Sequence, residues 1–411
     1  MSSSAKSSSP AVLILLLAAL SMFGPFSIDT VFPMFPEVEK ALKVGPIEMQ
    51  QTISVYLLSY GLMALLHGPL SDALGRRTVI LGGVGLFVLA SVGCALSESI
   101  WSLLFFRAIQ GVSAGSGLIV GRAIIRDRFQ GSEAQRVMSR TTMVFAIAPA
   151  IAPVIGGLIG TRFGWEAIFY FLALFSLLLG FACWRWLPET HPVEARLPLR
   201  PVPLFGRYMA MLRNPCFLWL SCSTSFNFAG QFLYISSAPD FVLKLMQLKP
   251  TQFAAFFVPM ISGIMTGAWI SSRMAGRGRP ERIISWAYGL MLGSACANIL
   301  YCSLAEQIVW PWAVIPMFVT GIGTAMASPS ITIWGLDHYP NERGTAASLQ
   351  SFMSLMLNAV VAGVLSPLLS HSALWLALGA CSAMVLGWLS WRHAYAIGAH
   401  RPEAASESAR G

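Results

Sequence analysis

Apolar segments of about twenty residues follow one another through almost the whole chain, and they restrict its fold more than any other feature. Because the hydrocarbon core of a bilayer is about 30 Å thick, a helix of roughly twenty apolar residues is long enough to cross it. Lipid offers no hydrogen-bond partners, so the backbone groups must pair within each segment, and each segment is predicted to be helical. Composition agrees, since 55% of the 411 residues are hydrophobic and only 11% are charged. The chain is therefore predicted to be an all-α membrane protein.

Twelve such segments can be delimited, in two groups of six. The predicted spans are residues 11–33, 47–66, 79–97, 101–123, 141–160, 165–187, 216–236, 251–272, 283–304, 309–328, 346–369 and 372–391. We predict a cytoplasmic tail over 1–10, a six-helix bundle over 11–187, a semi-extended polar linker over 188–214, a second six-helix bundle over 215–393 and a cytoplasmic tail over 394–411. Two joined, pseudo-symmetric bundles are typical of transporters that hold their substrate between the halves and open to each side in turn.

Arginine lies almost entirely on one side of the predicted membrane. If the N-terminus is cytoplasmic, the loops on that side carry Arg76, Arg77, Arg126, Arg128, Arg136, Arg140, Arg196, Arg200, Arg207, Arg213, Arg273, Arg277, Arg279 and Arg282. The other side keeps Lys40, Lys43, Arg162, Lys244 and Lys249. Because basic loops remain inside, we predict a multi-pass protein of the cell inner membrane with both termini cytoplasmic. The net charge of +9 is attributed to this bias, so no nucleic-acid partner is predicted.

Residue types that carry catalysis or bind metals occur without their usual partners. The seven cysteines form no Cys-x-x-Cys pair, and the sequence has no His-Glu-x-x-His motif or phosphate-binding loop. Gly111-Val-Ser113-Ala-Gly115 has the spacing of a nucleophile elbow, but it lies in a predicted helix and no histidine base is evident. No cofactor, metal site or enzymatic activity is therefore predicted, and an intramembrane enzyme is only a remote alternative.

Two charged residues within predicted spans, Arg107 and Asp29, are singled out, since every other acidic residue can be placed in a loop, a tail or a span end. Arg107 is several residues into span four, where a permanent charge costs about 3 kcal/mol, so we expect it to face an interior cavity and to have a partner. Asp29 lies toward the end of span one. In adjacent helices, a carboxyl group beside a guanidinium could load and release a proton, so both residues are predicted to act in proton coupling. The alternatives are that Arg107 extends to the membrane surface and that Asp29 is hydrated at the outer mouth.

Polar and aromatic residues within other spans are candidates for the substrate-binding wall. The predicted set is Tyr56, Tyr60, Asn227, Gln231, Tyr234, Gln350 and Asn358. Asn227 and Gln231 are four residues apart and share a helix face, as do Tyr56 and Tyr60. Each of these side chains could instead form a hydrogen bond between helices.

The loop after span two reads Gly68-Pro-Leu-Ser-Asp72-Ala-Leu-Gly75-Arg76-Arg77. Gly75 permits a tight backbone reversal, and Asp72 can pair with a basic neighbour or lie at a helix N-terminus. The spacing resembles the loop between spans two and three of the major facilitator superfamily, although Ala73 stands where that family often has arginine. The resemblance implies twelve helices in two bundles and a conformational role for Gly68, Asp72, Gly75, Arg76 and Arg77.

Two further elements are similar to motifs of the same superfamily. Arg107-x-x-Gln110-Gly111 resembles its span-four motif, which is associated with proton transfer. Span five contains two prolines followed by two glycines, which predict a kinked helix that a neighbour can approach closely. This run resembles the superfamily's antiporter motif, with alanine at two positions that usually hold glycine. The resemblance implies a conformational role for Pro149, Pro153, Gly156 and Gly157.

Motifs along nearly the whole chain resemble the bicyclomycin/chloramphenicol-resistance (Bcr/CflA) type of drug:proton antiporter. They are Asp29-x-x-x-Pro33, Arg122-Ala-Ile-Ile-Arg126-Asp127, Trp165-x-Ala-Ile-Phe169, Leu187-Pro188-Glu189-Thr190, Ser237-Ala-Pro239 and Pro340-x-x-Arg343-Gly. The resemblance implies that Asp127 belongs to the conformational motif and that Asp29 and Arg107 couple transport to protons. Asp240 departs from the family pattern and receives no predicted role.

The leading hypothesis is a proton-coupled antiporter that exports drug-like small molecules by alternating access. Its predicted partners are the lipid bilayer, protons and a neutral or weakly polar substrate, and we expect a monomer. The alternative is a dedicated proton-coupled exporter of a small metabolite such as an amino acid or nucleoside. A channel fits less well, because proline-broken spans in paired halves favour alternating access.

Overall fold

The computed structural model describes residues 10–196, 201–274, 279–340 and 342–399. Arg200, Arg277, residues 1–9 of the predicted N-terminal tail and residues 400–411 of the C-terminal tail lie outside these ranges. The helices are α1 (Pro10–Ser21), α2 (Phe23–Asp29), α3 (Phe35–Leu42), α4 (Pro46–Leu74), α5 (Arg76–Ala95), α6 (Ile100–Gly115), α7 (Gly121–Arg128), α8 (Gly131–Phe163), α9 (Glu166–Trp186), α10 (Pro201–Arg213), α11 (Pro215–Ser236), α12 (Ala254–Met274), α13 (Pro280–Leu304), α14 (Ile315–Asp337), α15 (Arg343–Val360), α16 (Ser366–Leu369) and α17 (Ala373–Ala396). The described ranges contain no β-strand.

These elements form twelve membrane helices, which confirms the predicted fold class. The first membrane helix is α1 to α3, the fourth is α6 with α7, and the eleventh is α15 with α16. Ten of the helices have the length and mean hydropathy of a membrane span. The other two, α11 and α14, have 22 and 23 residues. They are long enough to cross but are less apolar, since α11 contains serine, threonine and amide side chains and α14 contains several serines and threonines.

The chain divides into two compact units, residues 1–200 and 201–411. Within the first unit, α4 packs on α6, and α5 packs on both α6 and α9. Within the second, α12 packs on α14, and α13 packs on both α14 and α17. These pairs occupy the same positions in the order of the six helices, so the two units repeat one packing plan.

Close helix packing depends on glycines that lie directly against a neighbouring backbone. A methyl group on Gly111 of α6 would overlap the carbonyl oxygen of Tyr56 in α4. In the second unit, a methyl group on Gly263 of α12 would overlap the carbonyl oxygen of Phe318 in α14. Small residues allow backbones to approach in lipid, where no hydrophobic effect holds helices together. The α4–α6 and α12–α14 pairs therefore use the same device.

The prediction of a semi-extended linker is wrong for its second half. Residues 201–213 form α10, in which Tyr208 and Met211 are buried. These two residues are three apart and share a helix face, and burying that face stabilises the helix. Burial raises the pKa of the Tyr208 phenol to about 12. Arg207 forms an ion pair with Glu342 at 3.4 Å, which ties α10 to the start of α15.

Candidate functional site

Arg107 lies in the interior of the first unit and is only 2% exposed. Its Nη1 donates to the carbonyl oxygen of Ser27 and to Oε1 of Gln110, both at 2.8 Å. Its Nε donates to the carbonyl oxygen of Thr52 at 3.3 Å. The guanidinium therefore connects α2, α4 and α6, and the alternative that Arg107 extends to the membrane surface is wrong.

Two more side chains complete the surroundings of this guanidinium. The Tyr56 ring lies with its centroid 4.6 Å from the Arg107 Cζ atom, which is the geometry of a cation–π interaction. Gln110 Nε2 donates to Ser91 Oγ at 2.8 Å, so α5 joins the network. Tyr60 lies edge-on to Tyr56, with 6.3 Å between ring centroids. The structure thus brings Tyr56, a predicted substrate residue, to the predicted coupling arginine.

Asp29 is the last residue of α2 and is 4% exposed, so the alternative of a hydrated carboxyl at the mouth is wrong within this unit. Its carboxyl group forms no hydrogen bond or ion pair with another residue in the described ranges, Arg107 included. The expectation of a carboxyl group directly beside the guanidinium is therefore wrong. Arg107 Nη1 instead donates to the carbonyl oxygen and, at 3.0 Å, to the Oγ of Ser27, and side chains two residues apart on a helix face different directions.

The predicted antiporter motif of α8 lies against the backbone next to Asp29. A methyl group on Gly156 would overlap the carbonyl oxygen of Thr30, the residue that follows Asp29. Pro153 and Gly157 are also buried, and α8 continues through Pro149 and Pro153 without interruption. The structure therefore joins two features that the sequence presented separately, the acidic residue of span one and the glycines of span five.

The motif over residues 68–77 was predicted as a loop, but it is helical except at Gly75, because α4 runs to Leu74 and α5 begins at Arg76. It forms an ion-pair network at one end of the first unit. Arg76 is 7% exposed, and its Nη1 donates to Asp72 Oδ1 and, at 2.6 Å, to Ser71 Oγ. Its Nε donates to Asp127 Oδ2 at 3.3 Å. Thr190 Oγ1 donates to the same Asp127 oxygen at 2.8 Å. Asp72, Arg76 and Asp127 are thus brought together, whereas a methyl group on Gly68 would meet no neighbour.

Glu189 is a residue of this network to which sequence reasoning gave no role. Its carboxylate accepts from the backbone N–H of Arg76 at 3.0 Å and of Arg77 at 3.2 Å. These N–H groups are unpaired donors at the start of α5, where the helix dipole also favours an anion. Gly75, with φ of 98°, makes the reversal that exposes them, and a side chain there would meet Glu189. The Leu-Pro-Glu-Thr motif was the available signal, but its partner is more than one hundred residues away.

Two of the predicted substrate residues in the second unit form hydrogen bonds between helices. Asn227 Nδ2 donates to the Tyr288 hydroxyl at 2.9 Å, and that hydroxyl also lies 2.8 Å from Ser223 Oγ. The Tyr234 hydroxyl accepts from Asn298 Nδ2 at 2.8 Å. These bonds tie α11 to α13. For Asn227 Nδ2 and Tyr234, the alternative of a hydrogen bond between helices is therefore confirmed. Tyr288 and Asn298 were missed, because a single tyrosine or asparagine in a span carries no distinguishing pattern.

Other predicted substrate residues have polar atoms that meet no partner among the described residues. Gln231 is 2% exposed, and neither its Oε1 nor its Nε2 forms a hydrogen bond. Gln350 Nε2 and Asn358 Oδ1 are also without a partner. A buried amide left unpaired costs about 1–3 kcal/mol, so such groups need water or a ligand. Gln231 is the clearest case, since both ends of its amide are available.

Asp240, which had no predicted role, links two neighbouring segments of the second unit. Its Oδ1 lies 2.6 Å from Lys244 Nζ, and its Oδ2 accepts from Ser370 Oγ at 2.5 Å. The π-helical segment Pro239–Leu245 that follows α11 is thereby tied to the turn between α16 and α17. Within the described ranges, no group of three or more His, Cys, Asp or Glu residues is arranged to hold a metal ion.

Twelve membrane helices in two similarly packed units, with a buried cation in one and unpaired amides in the other, are the architecture of a polytopic membrane transporter. A profile described as Major Facilitator Superfamily matches residues 14–363. The chain therefore belongs to that superfamily.

Relatives with known names indicate the branch of the family. The chain is 28% identical over 372 residues to the bicyclomycin resistance protein homolog of Haemophilus influenzae, covering 90% of this chain and 93% of that protein. It is also 28% identical over 389 residues to the chloramphenicol resistance protein of Pseudomonas aeruginosa, covering 92% and 90%. These matches confirm the predicted resemblance to the bicyclomycin/chloramphenicol-resistance type.

A solved structure supports the fold independently. The peptide transporter POT in complex with sulfate matches with a TM-score of 0.75 and 16% identity, covering 94% of this chain and 95% of that chain. At this identity the likeness concerns the fold alone. The chain is a multi-pass membrane protein of a transporter family, and the lipid bilayer and a small-molecule substrate follow as its partners.

Proposed function

We propose that this protein is a proton-coupled antiporter that exports neutral or weakly polar drug-like molecules by alternating access across the cell inner membrane. The observation that carries the proposal is the buried Asp29 carboxyl group, which forms no ion pair or hydrogen bond in the described ranges and directly precedes Thr30, the residue that contacts Gly156 of α8. An ionised carboxylate enclosed in protein needs a cation or several hydrogen-bond donors, and none lies within bonding distance among the described residues. A proton is the partner that satisfies this carboxyl group. Its release requires a change in the packing of the neighbouring helices over α2.

Arg107 supports this proposal by holding α2 in place without neutralising Asp29. All of its hydrogen bonds go to uncharged groups, so its positive charge is not cancelled by an ion pair in the described ranges. The same positive charge disfavours cationic cargo, which is why neutral substrates are proposed.

The energy available is sufficient for export. A proton entering down about 100 mV releases roughly 2.3 kcal/mol. At 1.4 kcal/mol per decade, one proton can sustain roughly a fifty-fold gradient of a neutral compound. The names of the bicyclomycin- and chloramphenicol-resistance relatives support cargo of this kind. We further propose a monomer with both termini in the cytoplasm.

A metabolite exporter is the second candidate, and the unpaired Gln231 amide favours it. One donor and one acceptor at a buried position suit a ligand with a matching amide or carboxamide edge. A competition panel in everted vesicles separates the two functions. One tight ligand that excludes all others indicates a metabolite carrier, whereas weak competition among many unrelated compounds indicates a drug exporter.

The decisive experiment compares wild type with Asp29→Asn in proteoliposomes under an imposed pH gradient. We expect the variant to lose gradient-driven uptake while it still inserts and binds substrate, because asparagine keeps the shape but cannot bind and release the proton. The matched control is Asp240→Asn, which changes an acidic residue engaged with Lys244 and Ser370 and should leave gradient-driven uptake largely intact. Full gradient-driven activity of Asp29→Asn would refute the proposed coupling role.

A further inference from the structure

An apolar groove runs along the outside of the first unit, between α5 and α9. Its volume is about 300 Å³, and its walls include Leu81, Val84 and Val88 of α5 and Leu177, Phe181 and Trp184 of α9. Gly85 forms part of the groove, and a methyl group placed on it would meet no neighbour. From Leu81 to Val88 the groove follows about 10 Å of helix axis. Because glycine has no side chain, the space beside Gly85 is open, and we call this part of the groove the slot.

The groove opens onto a surface that hydrocarbon must cover. Leu177 and Phe181 are 56% and 60% exposed, and Leu174 and Leu178 beside them are similarly exposed. An apolar surface of this extent on a membrane helix faces lipid tails. An acyl chain is accordingly the occupant that matches the walls of the groove.

One end of the groove carries positive charge that no carboxylate among the described residues neutralises. Trp184 lies at this end, and its carbonyl oxygen accepts from Arg77 Nη2 at 2.5 Å. Arg185 follows in the last turn of α9, is exposed, and forms no ion pair or hydrogen bond with another described residue. The Glu189 carboxylate nearby is engaged by the backbone N–H groups of Arg76 and Arg77. The Arg185 guanidinium thus remains available to an anion, and Arg77 adds a second positive charge through a guanidinium that is partly engaged by the Trp184 carbonyl.

We propose that this groove binds an anionic glycerophospholipid, with one acyl chain along α5 and α9 and its phosphate beside Arg185 and Arg77. Each part of the lipid has a matching part of the site. The acyl chain contacts the apolar walls, and the phosphate contacts the guanidinium groups. Arginine suits a phosphate because its planar fork donates two parallel hydrogen bonds. Trp184 lies at the boundary between the two halves, where tryptophan is enriched in membrane proteins.

The test uses phosphatidylglycerol with a photoreactive group on its acyl chain, incorporated with the full-length protein in phosphatidylcholine nanodiscs. After illumination and proteolysis, mass spectrometry locates the attached lipid. We expect labelling concentrated on residues 81–88 and 176–184. An equally labelled phosphatidylcholine probe, or labelling spread evenly over all exposed spans, would overturn the proposal.

Two variants test the two halves of the site separately. Gly85→Leu fills the slot and should abolish labelling there, whereas Gly82→Leu, on α5 but outside the groove, should not. Arg185→Gln should weaken phosphatidylglycerol binding about fivefold, the change that loss of one cation near an anionic surface produces. Its control is Arg162→Gln, at an exposed arginine in the last turn of α8. Unchanged labelling in Arg185→Gln would refute the phosphate contact even if Gly85→Leu failed to fold.

Discussion

The two units of this transporter repeat one packing plan but fill their interiors with different polar chemistry. The first unit encloses a permanent cation, Arg107, whose hydrogen bonds go to the Ser27 and Thr52 carbonyls and the Gln110 amide. The second encloses uncharged groups, in which Tyr288 is shared by Asn227 and Ser223 while Gln231 has no partner. A charge that is bonded to three helices fixes its surroundings, whereas unpaired amides can adapt to a guest. We infer that the first unit handles the proton and the second contributes to substrate recognition.

The largest expected effect comes from removing the cation of the first unit. Arg107→Ala leaves the Gln110 amide and two backbone carbonyls without their donor, and each buried polar group left unpaired costs about 1–3 kcal/mol. We expect loss of gradient-driven transport and a marked drop in thermal stability, measured on the detergent-purified protein. Arg107→Lys should rescue stability only in part, because an ammonium group cannot reproduce the geometry of the guanidinium fork.

Arg162→Ala, at an exposed arginine, is the control and should leave both transport and stability unchanged. Wild-type transport by Arg107→Ala would break the distinction between the two units, since the buried charge would then have no role.

A smaller effect is expected from the contact between α8 and the backbone beside Asp29. Gly156→Ala introduces a methyl group onto the Thr30 carbonyl oxygen, and α2 or α8 must move to accommodate it. Overpacking of this kind costs about 1–3 kcal/mol. We expect reduced proton-driven turnover in proteoliposomes, with substrate binding by the detergent-purified protein retained. Gly82→Ala, which meets no neighbour, is the matched control, and an equal loss of turnover in both variants would contradict the role of the contact.

The smallest effects sharpen the description of the second unit. Tyr288→Phe removes the hydroxyl shared by Asn227 and Ser223 and should reduce stability by about 1–3 kcal/mol. Gln231→Leu removes an amide that has no partner, so stability should be unchanged or slightly higher. We expect instead that Gln231→Leu changes the relative transport of polar and apolar compounds. The opposite pattern, with Gln231→Leu unstable and substrate range unaltered, would assign Gln231 a structural role.

Local pattern was enough to predict several features of this protein. Segment length and mean hydropathy predict the membrane helices, because the bilayer imposes one length on every span. The cost of charge in lipid is enough to single out Arg107 and Asp29, because it depends on depth within a span and not on which neighbours a residue meets. The spacing from Gly68 to Arg77 likewise predicts the tight turn that the structure shows at Gly75.

Pairing between distant residues was decided by the tertiary structure alone. Arg107 bonds the carbonyl and the hydroxyl of Ser27 and not the Asp29 carboxyl group, because side chains two residues apart on α2 face different directions. Glu189 caps α5 only because the end of α9 returns to the start of α5, across 113 residues of sequence. Helix α10 forms where its composition suggested an extended linker, because Tyr208 and Met211 find a surface on which to be buried. A sequence specifies which residues need partners, but the packing of helices determines which partners they meet.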